Sequence, residues 1–155
     1  GDFFYVPSGT VHAIGKGVLV LETQQNSDTT YRLYDYERRD AEGNMRELHL
    51  EKSIEVIAVP SIPVRQTVQY DQTDDLHIAT LIECAYFSVE KWSLSGSARL
   101  KQQKPFLLVS VIEGKGRMIS GDNVNTFQKG DHMLLPFGFG QFKLEGQAEC
   151  IVSHL

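Results

Sequence analysis

A single histidine near the start of the chain follows a turn whose residues could position it for chemistry. The stretch GDFFYVPSGTVHAI contains Pro7, which fixes φ, and Gly9, which accepts a positive φ. The chain is therefore expected to end one strand at Val6, turn, and begin a new strand that carries His12. An imidazole in that place can bind a divalent metal or form a hydrogen bond in or near a core. This stretch alone leaves both interpretations open.

The same pattern returns late in the chain without its histidine. The stretch GDHMLLPFGFGQFKL begins at Gly130 and repeats the Gly, Asp, Pro and Gly at the same spacing, with Gln141 opposite His12. The pattern G-x5-P-x-G-x2-H resembles the second conserved motif of the cupin superfamily. In that superfamily the histidine joins a histidine pair, or a glutamine and a histidine, and a glutamate from an earlier strand to hold a divalent metal. The resemblance implies that His12 is a metal ligand and that the second copy holds no metal.

The residues after His12 carry a more specific resemblance. They include LETQQNSDTTYRLYDYER and then LHLEKSIEVI, and in this order the phrases resemble the short bacterial form of type I mannose-6-phosphate isomerase. Residues 1–58 are highly specific for this family, and the later ECAYFSVEKW agrees with its C-terminal domain. The resemblance covers the whole chain but only about half of the family's length. The half that is missing from the match is the N-terminal one.

The resemblance also implies roles for individual residues. In this family a zinc ion assists the interconversion of mannose 6-phosphate and fructose 6-phosphate, so His12 would be the last zinc ligand and the remaining ligands would lie outside this chain. Arg32 would be the catalytic arginine of the same pocket. Glu22 ends the strand-like VLVLE and could contact substrate, but solvent or a lysine is an equally good partner for it.

Arg32 suits the chemistry of an aldose-ketose isomerisation. A proton that moves between C1 and C2 of an open sugar passes through an enediol or enediolate, whose negative oxygen needs a cation beside it. Because arginine stays protonated, we expect it to stabilise that oxygen or the substrate phosphate and not to act as a base. The alternative for Arg32 is a surface residue in a weak ion pair with Asp35 or Glu37.

Composition excludes several classes of protein. The chain has 155 residues, 41% of them hydrophobic and 23% charged, which is typical of a globular protein and not of a disordered one. A net charge of −5 argues against nucleic acid, and the sequence has no run of about eighteen apolar residues that could cross a membrane. Cys84 and Cys150 lack metal-ligand spacing and are predicted to be buried thiols. A cytoplasmic location and a small-molecule partner are expected.

Alternating apolar and polar residues, interrupted by turn residues, predict an all-β protein. The one helical pattern covers about 47–58 and ends before Pro60. The glycines of EGKGRMISG predict a tight turn, because no helix follows to form a phosphate-binding loop. The fold class is therefore a cupin-type jelly-roll β-sandwich with one short helix. The predicted strands are 2–6, 10–14, 17–24, 29–36, 64–70, 76–83, 86–93, 106–113, 115–120, 123–128, 131–136, 140–145 and 147–153.

The proline-containing phrase VPSIPVRQ predicts a linker and a domain boundary at about residue 61. Residues 1–60 would be the C-terminal part of a truncated catalytic cupin, since four strands without a second sheet leave an apolar face uncovered. Residues 61–155 would be a second, metal-free cupin domain. The uncovered face of the first domain could lead the chain to self-associate.

The main hypothesis is a zinc-dependent isomerase whose substrate is a phosphorylated hexose, present here as a part that is inactive alone. The alternative is a non-catalytic β-sandwich module that binds a sugar or a partner chain. A nucleotidyltransferase or dioxygenase of the cupin type is disfavoured, because neither resembles the phrase ETQQNSDTTYR.

Overall fold

A computed structural model describes residues 1–27, 29–61 and 67–155. The chain forms two compact units, Gly1–Val64 and Arg65–Leu155. Most of the predicted linker and the beginning of the predicted strand 64–70 lie outside the described residues. The all-β fold class with one short helix is confirmed, whereas the assignment of 1–60 and 61–155 to two cupins stays a prediction. No helix in the described ranges is long and apolar enough to cross a membrane.

The first unit contains one helix, α1 (Leu50–Val56), which is shorter than predicted. The four strands predicted over 2–6, 10–14, 17–24 and 29–36 are wrong. Among the described residues of this unit, the only β-type pairing outside named strands is the bridge between Arg39 and Met45. A strand needs a hydrogen-bonded neighbour, and the described residues include no strand that pairs with these segments. Their apolar side chains consequently lie open to solvent, and Leu19 is 99% exposed.

The second unit is built of eight antiparallel strands that form one continuous sheet. Two long strands, β5 and β8, organise it, because each pairs with the other on one edge and with two shorter strands in succession on the other edge. The strand at 97–102 was not predicted, and the segments predicted as separate strands at 106–113 and 115–120, and at 140–145 and 147–153, each form one continuous strand. The strands are β1 (Gln69–Thr73), β2 (Leu76–Glu83), β3 (Ser88–Leu94), β4 (Ser97–Gln102), β5 (Phe106–Ser120), β6 (Asn123–Gln128), β7 (His132–Pro136) and β8 (Gly140–His154).

The long strands divide the sheet into two layers. The first part of β5 pairs with β7 and its last part with β6, while the last part of β8 pairs with β3 and its first part with β4. The change of partner on β5 coincides with a register shift between Val111 and Glu113. Strands that pass from one layer to the other at a bulge are the usual corners of such sandwiches.

Glycines allow the paired strands β5 and β8 to approach each other closely at this corner. The turn predicted for EGKGRMISG is wrong. Gly114 and Gly116 lie inside β5, and Gly116 is in register with Gly146 of β8. A Cβ on Gly114 would overlap the carbonyl oxygen of Gln147, and a Cβ on Gly146 would lie 2.5 Å from that of Lys115. These glycines are therefore required by the approach of two backbones and not by a turn.

The core lies between the two layers and is almost filled. Its side chains come from all strands except β1, and the space left at its centre has a volume of about 10 Å³. A space of this size holds at most a single water molecule. The side chains that surround it are Trp92, Val109, Met118, Phe127, Met133, Leu135, Phe142, Leu144 and Cys150.

Candidate active site in the first unit

The sequence from Arg32 to His49 folds back on itself as an irregular hairpin. At its tip the Asp40 carboxylate accepts hydrogen bonds from the backbone N–H groups of Glu42 at 3.0 Å and Asn44 at 2.8 Å. Gly43 adopts a φ of 87°, which glycine accepts without strain. Aspartate, glycine and asparagine are the residues that favour such turns. The turn brings the second arm back beside the first.

A second tight turn lies in the first arm. The N–H of Arg38 donates to the carbonyl of Asp35 at 3.0 Å, and both residues between them, Tyr36 and Glu37, have positive φ values. Two positive φ values are characteristic of a type I′ turn and cost energy in residues other than glycine. The Arg38 guanidinium lies over the Tyr36 ring, 5.7 Å from its centroid. This contact holds the turn that follows Asp35.

The hairpin surrounds the predicted catalytic arginine. The Arg32 N–H donates to Nδ1 of His49 at 3.2 Å, and the His49 N–H donates to the Arg32 carbonyl at 2.8 Å. The Arg32 side chain donates from Nη1 to the carbonyl of Glu47 at 3.3 Å. Because Nδ1 of His49 accepts a hydrogen bond, the proton of the neutral ring is on Nε2, which lies 3.9 Å from the Glu47 carboxylate. Both the backbone and the guanidinium of Arg32 are thus fixed by the second arm.

An acidic residue lies beside the same guanidinium. Oδ1 of Asp35 is 4.0 Å from Nε of Arg32, and the Asp35 side chain is only 11% exposed. Arg46 binds both carboxylate oxygens of Asp35, with Nε donating to Oδ2 at 2.7 Å and Nη2 to Oδ1. The hydrogen bonds from Arg46 hold the pKa of the Asp35 carboxyl below its usual value, against the opposing effect of desolvation. Asp35 is therefore ionised at neutral pH.

Sequence reasoning missed three members of this group. Arg32 was singled out and Asp35 was named only as a weak partner, whereas Arg46, Glu47 and His49 were given no role. The turn-forming phrase DAEGN could have found part of this group, since a hairpin centred there brings residues 46–49 opposite residues 35–38. The second turn, from Asp35 to Arg38, then brings Arg32 beside His49. Aromatic side chains border the group, with the rings of Tyr34 and Tyr36 5.0 Å apart.

His12 follows the predicted turn but is exposed. The N–H of Thr10 donates to the carbonyl of Pro7 at 3.2 Å, and Gly9 has a φ of 79°. No strand begins after the turn in the described residues, so the expected strand that would direct His12 across a sheet is absent. Nδ1 of His12 lies 2.9 Å from the carbonyl oxygen of Thr10, which leaves Nε2 directed away from that contact.

The residues described here do not form a metal site by themselves. No group of three or more His, Cys, Asp or Glu residues in the described ranges could hold a metal ion. His12 offers one imidazole nitrogen, and a zinc ion in a catalytic site takes about three protein ligands. Glu22 is exposed, with no hydrogen bond or ion pair within the described part of the chain. His12, Glu22 and Arg32 are therefore not joined by direct contacts in this structure.

The second copy of the turn has the same local geometry. The N–H of Phe139 donates to the carbonyl of Pro136 at 3.2 Å, and Gly138 has a φ of 81°. Gln141, opposite His12 in the repeat, is exposed on β8, while its neighbour Phe142 lies in the core. Side chains alternate between the faces of a strand, so this position points out of the sandwich.

The chain is similar in sequence and in structure to mannose-6-phosphate isomerases. It is 79% identical over 155 residues to mannose-6-phosphate isomerase ManA of Bacillus subtilis, and 47% identical over 154 residues to mannose-6-phosphate isomerase of Streptococcus mutans. These matches span 100% and 99% of this chain but only 49% and 48% of the relatives. The chain thus spans about half the length of the curated relatives it matches.

The structural comparison gives the same result. The crystal structure of a mannose 6-phosphate isomerase from Bacillus subtilis superposes with a TM-score of 0.96 and 46% sequence identity, over 100% of this chain and 49% of that one. The sequence profile described as "Mannose-6-phosphate isomerase, cupin domain" matches residues 77–155, most of the second unit. The chain belongs to the mannose-6-phosphate isomerase family.

Proposed function

We propose that the chain is part of an enzyme that interconverts mannose 6-phosphate and fructose 6-phosphate. The observation that carries the proposal is the setting of Arg32, whose guanidinium is held by the second arm of the hairpin, in a chain 79% identical to a mannose-6-phosphate isomerase. The substrate is a phosphorylated hexose, and a cytoplasmic location goes with it. Neither nucleic acid nor a membrane has a part in this reaction.

Arg32 acts on charge and not as a base. When the C2 proton of the open aldose leaves, the electron pair forms the C1–C2 double bond and negative charge develops on the C1 oxygen. The proton of the C2 hydroxyl then passes to the C1 oxygen, and protonation at C1 gives the ketose. The guanidinium donates hydrogen bonds to the enediolate oxygen or to the phosphate throughout, because it remains protonated.

Zinc enters the proposal through His12 alone. We propose that His12 supplies one ligand and that the remaining ligands lie outside these 155 residues, since the described residues contain no group of three His, Cys, Asp or Glu side chains that could hold the ion. Glu22 is proposed as a weaker substrate contact. The 155 residues by themselves are then expected to bind zinc poorly and to show no turnover.

The test of Arg32 is made in an isomerase that carries these residues together with the rest of the family's length. Arg32→Ala should lower kcat by at least about a hundredfold and leave the zinc content unchanged. Arg32→Lys should also be impaired, because an ammonium lacks the planar fork of donors. Arg117→Ala, which removes an exposed arginine from the second unit, is the matched control and should retain full turnover. Unchanged turnover in Arg32→Ala would reject the proposed role.

The isolated chain gives an independent test of the zinc proposal. It is purified, dialysed against zinc, analysed for bound metal by emission spectroscopy, and assayed for fructose 6-phosphate formation with coupling enzymes. We expect less than stoichiometric zinc and no turnover above background. Stoichiometric zinc retained at submicromolar free metal would mean that other ligands in this chain complete the site.

A further inference from the structure

We propose that Asp35, held in place by Arg46, is a positioning residue for Arg32. The inference rests on the proposed function, in which Arg32 contacts the reacting sugar. Oδ1 of Asp35 is 4.0 Å from Nε of Arg32, and the two side chains are 11% and 22% exposed. Asp35 and Arg32 therefore lie together at a half-buried place, where water competes less for their charges than at an open surface.

The carboxylate itself is fixed from the opposite side. Arg46 binds Asp35 through two nitrogens, and this bidentate arrangement sets the plane of the carboxylate as well as its distance. The type I′ turn at Tyr36 and Glu37 fixes the backbone directly after Asp35. With both its backbone and its carboxylate plane constrained, Asp35 offers Arg32 a negative charge at a fixed point.

The contacts of Arg32 leave one side of its guanidinium available. Nη1 donates to the Glu47 carbonyl, and Nε faces Asp35. Nη2 makes no hydrogen bond within the described part of the chain. Two of the three nitrogens are thus directed at the protein, and the third is the one that a substrate oxygen would meet. Small displacements of such a group cost much of its effect on the transition state.

The charges explain why Arg46 is needed as well. Arg32 and Arg46 would repel each other, and the carboxylate between them removes that repulsion while it binds Arg46 directly. If Asp35 is neutralised, the Arg32 guanidinium loses its partner on the Nε side and gains a nearby uncompensated cation. We therefore expect Arg32 to leave its position in Asp35→Asn, even though the substituted side chain has nearly the same shape.

A merely structural Asp35–Arg46 pair would close the hairpin without directing Arg32, and two measurements separate these roles. The first follows the Arg32 Nε–H signal by ¹H–¹⁵N NMR in the 155-residue chain, assigned by its loss in Arg32→Lys. Asp35→Asn should shift this signal and reduce its heteronuclear NOE. Glu42→Gln removes the same charge from the exposed hairpin tip and should leave the signal unchanged. Arg46→Lys, which keeps the charge but loses the bidentate geometry, should give an intermediate result.

The second measurement is steady-state kinetics in the longer isomerase described above. Asp35→Asn should lower kcat about tenfold with a smaller change in KM, Arg46→Lys should retain more activity, and Glu42→Gln should match the parent. Circular dichroism identifies any variant that fails to fold. If Asp35→Asn fails to fold, the comparison of Arg46→Lys with the parent enzyme tests the proposal instead. An Arg32 signal that is insensitive to Asp35→Asn would overturn the positioning role. A displaced signal with unchanged kcat would leave the positioning intact and reject the proposed function of Arg32 instead.

Discussion

Two turns of the same sequence pattern, at Pro7–Gly9 and at Pro136–Gly138, have the same backbone geometry in opposite surroundings. Each is closed by a 3.2 Å hydrogen bond to the proline carbonyl, and the glycines have φ values of 79° and 81°. The first turn connects segments without strand pairing and is followed by an exposed His12. The second joins β7 to β8 at the edge of a filled core. The pattern therefore specifies the turn, and the pairing of the flanking segments is determined elsewhere.

The two turns differ in whether a neighbouring strand is present for the flanking segments to pair with. The segment 131–136 forms β7 because the first part of β5 lies beside it, and the Val111 N–H donates to the Asp131 carbonyl at 2.9 Å at the end of that pairing. The matching segment 2–6 also has an Asp followed by mostly apolar residues, but it has no such neighbour among the described residues. Sequence pattern decides which residues can form a strand, and pairing decides whether the strand forms.

The largest expected difference between the two regions is in amide hydrogen exchange. Amides of β5 and β8 should exchange at least about a thousandfold more slowly than those of residues 2–24, because only the strand amides are both paired and buried. The measurement is native-state exchange followed by mass spectrometry of peptides, with size-exclusion chromatography on the same sample. Strong protection of residues 2–24 would contradict the comparison if the chain elutes as a monomer. Protection that appears only in a dimer would support the self-association expected through the first domain.

The sequence was a good guide where one residue decides the local geometry. Both Pro-x-Gly turns and the helix before Pro60 follow from residues whose conformational limits are known. In the second unit, the alternation of apolar residues also located most of the strands. These features depend on neighbours a few residues away, so a single sequence contains the information for them.

The sequence was a poor guide where the local structure depends on segments that are distant in the chain. Gly114 and Gly146 were interpreted as breaks between strands, whereas each lies inside a long strand where the backbones of β5 and β8 approach closely. The group around Arg32 was incomplete for the same reason, since Arg46 and His49 reach it only when the hairpin closes. The family resemblance identified Arg32, but it contained nothing about the side chains that hold it.

A second way to sharpen the comparison is to substitute the glycine of each turn. Gly138→Ala should lower the free energy of unfolding by about 1 to 2 kcal/mol through its positive φ alone, since no atom lies within 4 Å of the added Cβ. Gly9→Ala should also displace its turn from the end of α1, because the Cβ would lie 2.6 Å from the Val56 carbonyl oxygen. The readouts are chemical denaturation for Gly138→Ala and the exchange rate of the Ala58 N–H, which donates to Gly9, for Gly9→Ala. An unchanged exchange rate of the Ala58 N–H in Gly9→Ala would count against the packing of the first turn on α1.

A smaller effect distinguishes the charged groups of the two units. Hydrogen bonds from Arg46 lower the pKa of Asp35, and those from Lys143 and then Arg117 lower the pKa of Glu145. Since both folded-state values are lowered, the stabilisation from each pair is present above the unfolded pKa and is lost as the pH falls through the folded one. Arg46→Met should raise the pKa of Asp35 and leave that of Glu145 unchanged, as measured by ¹³C carboxyl NMR titration. A shift of both groups would show that the substitution alters more than this pair.

The smallest expected effect is from restoring histidine to the second turn. Gln141→His makes the second copy match G-x5-P-x-G-x2-H in full, and if the motif alone made a metal site, zinc binding should appear. We expect none above that of the parent chain. Gln141 is exposed on β8, so an imidazole there would point out of the sandwich, and the space inside is surrounded by apolar side chains. A zinc ion held by one exposed imidazole has no further protein ligands and exchanges readily with buffer. Isothermal titration with zinc compares Gln141→His with Lys143→His, which places a histidine on the same face two residues further along. Tight binding by Gln141→His alone would mean that the turn itself brings in ligands from neighbouring strands, so that the turn motif would be sufficient for a metal site.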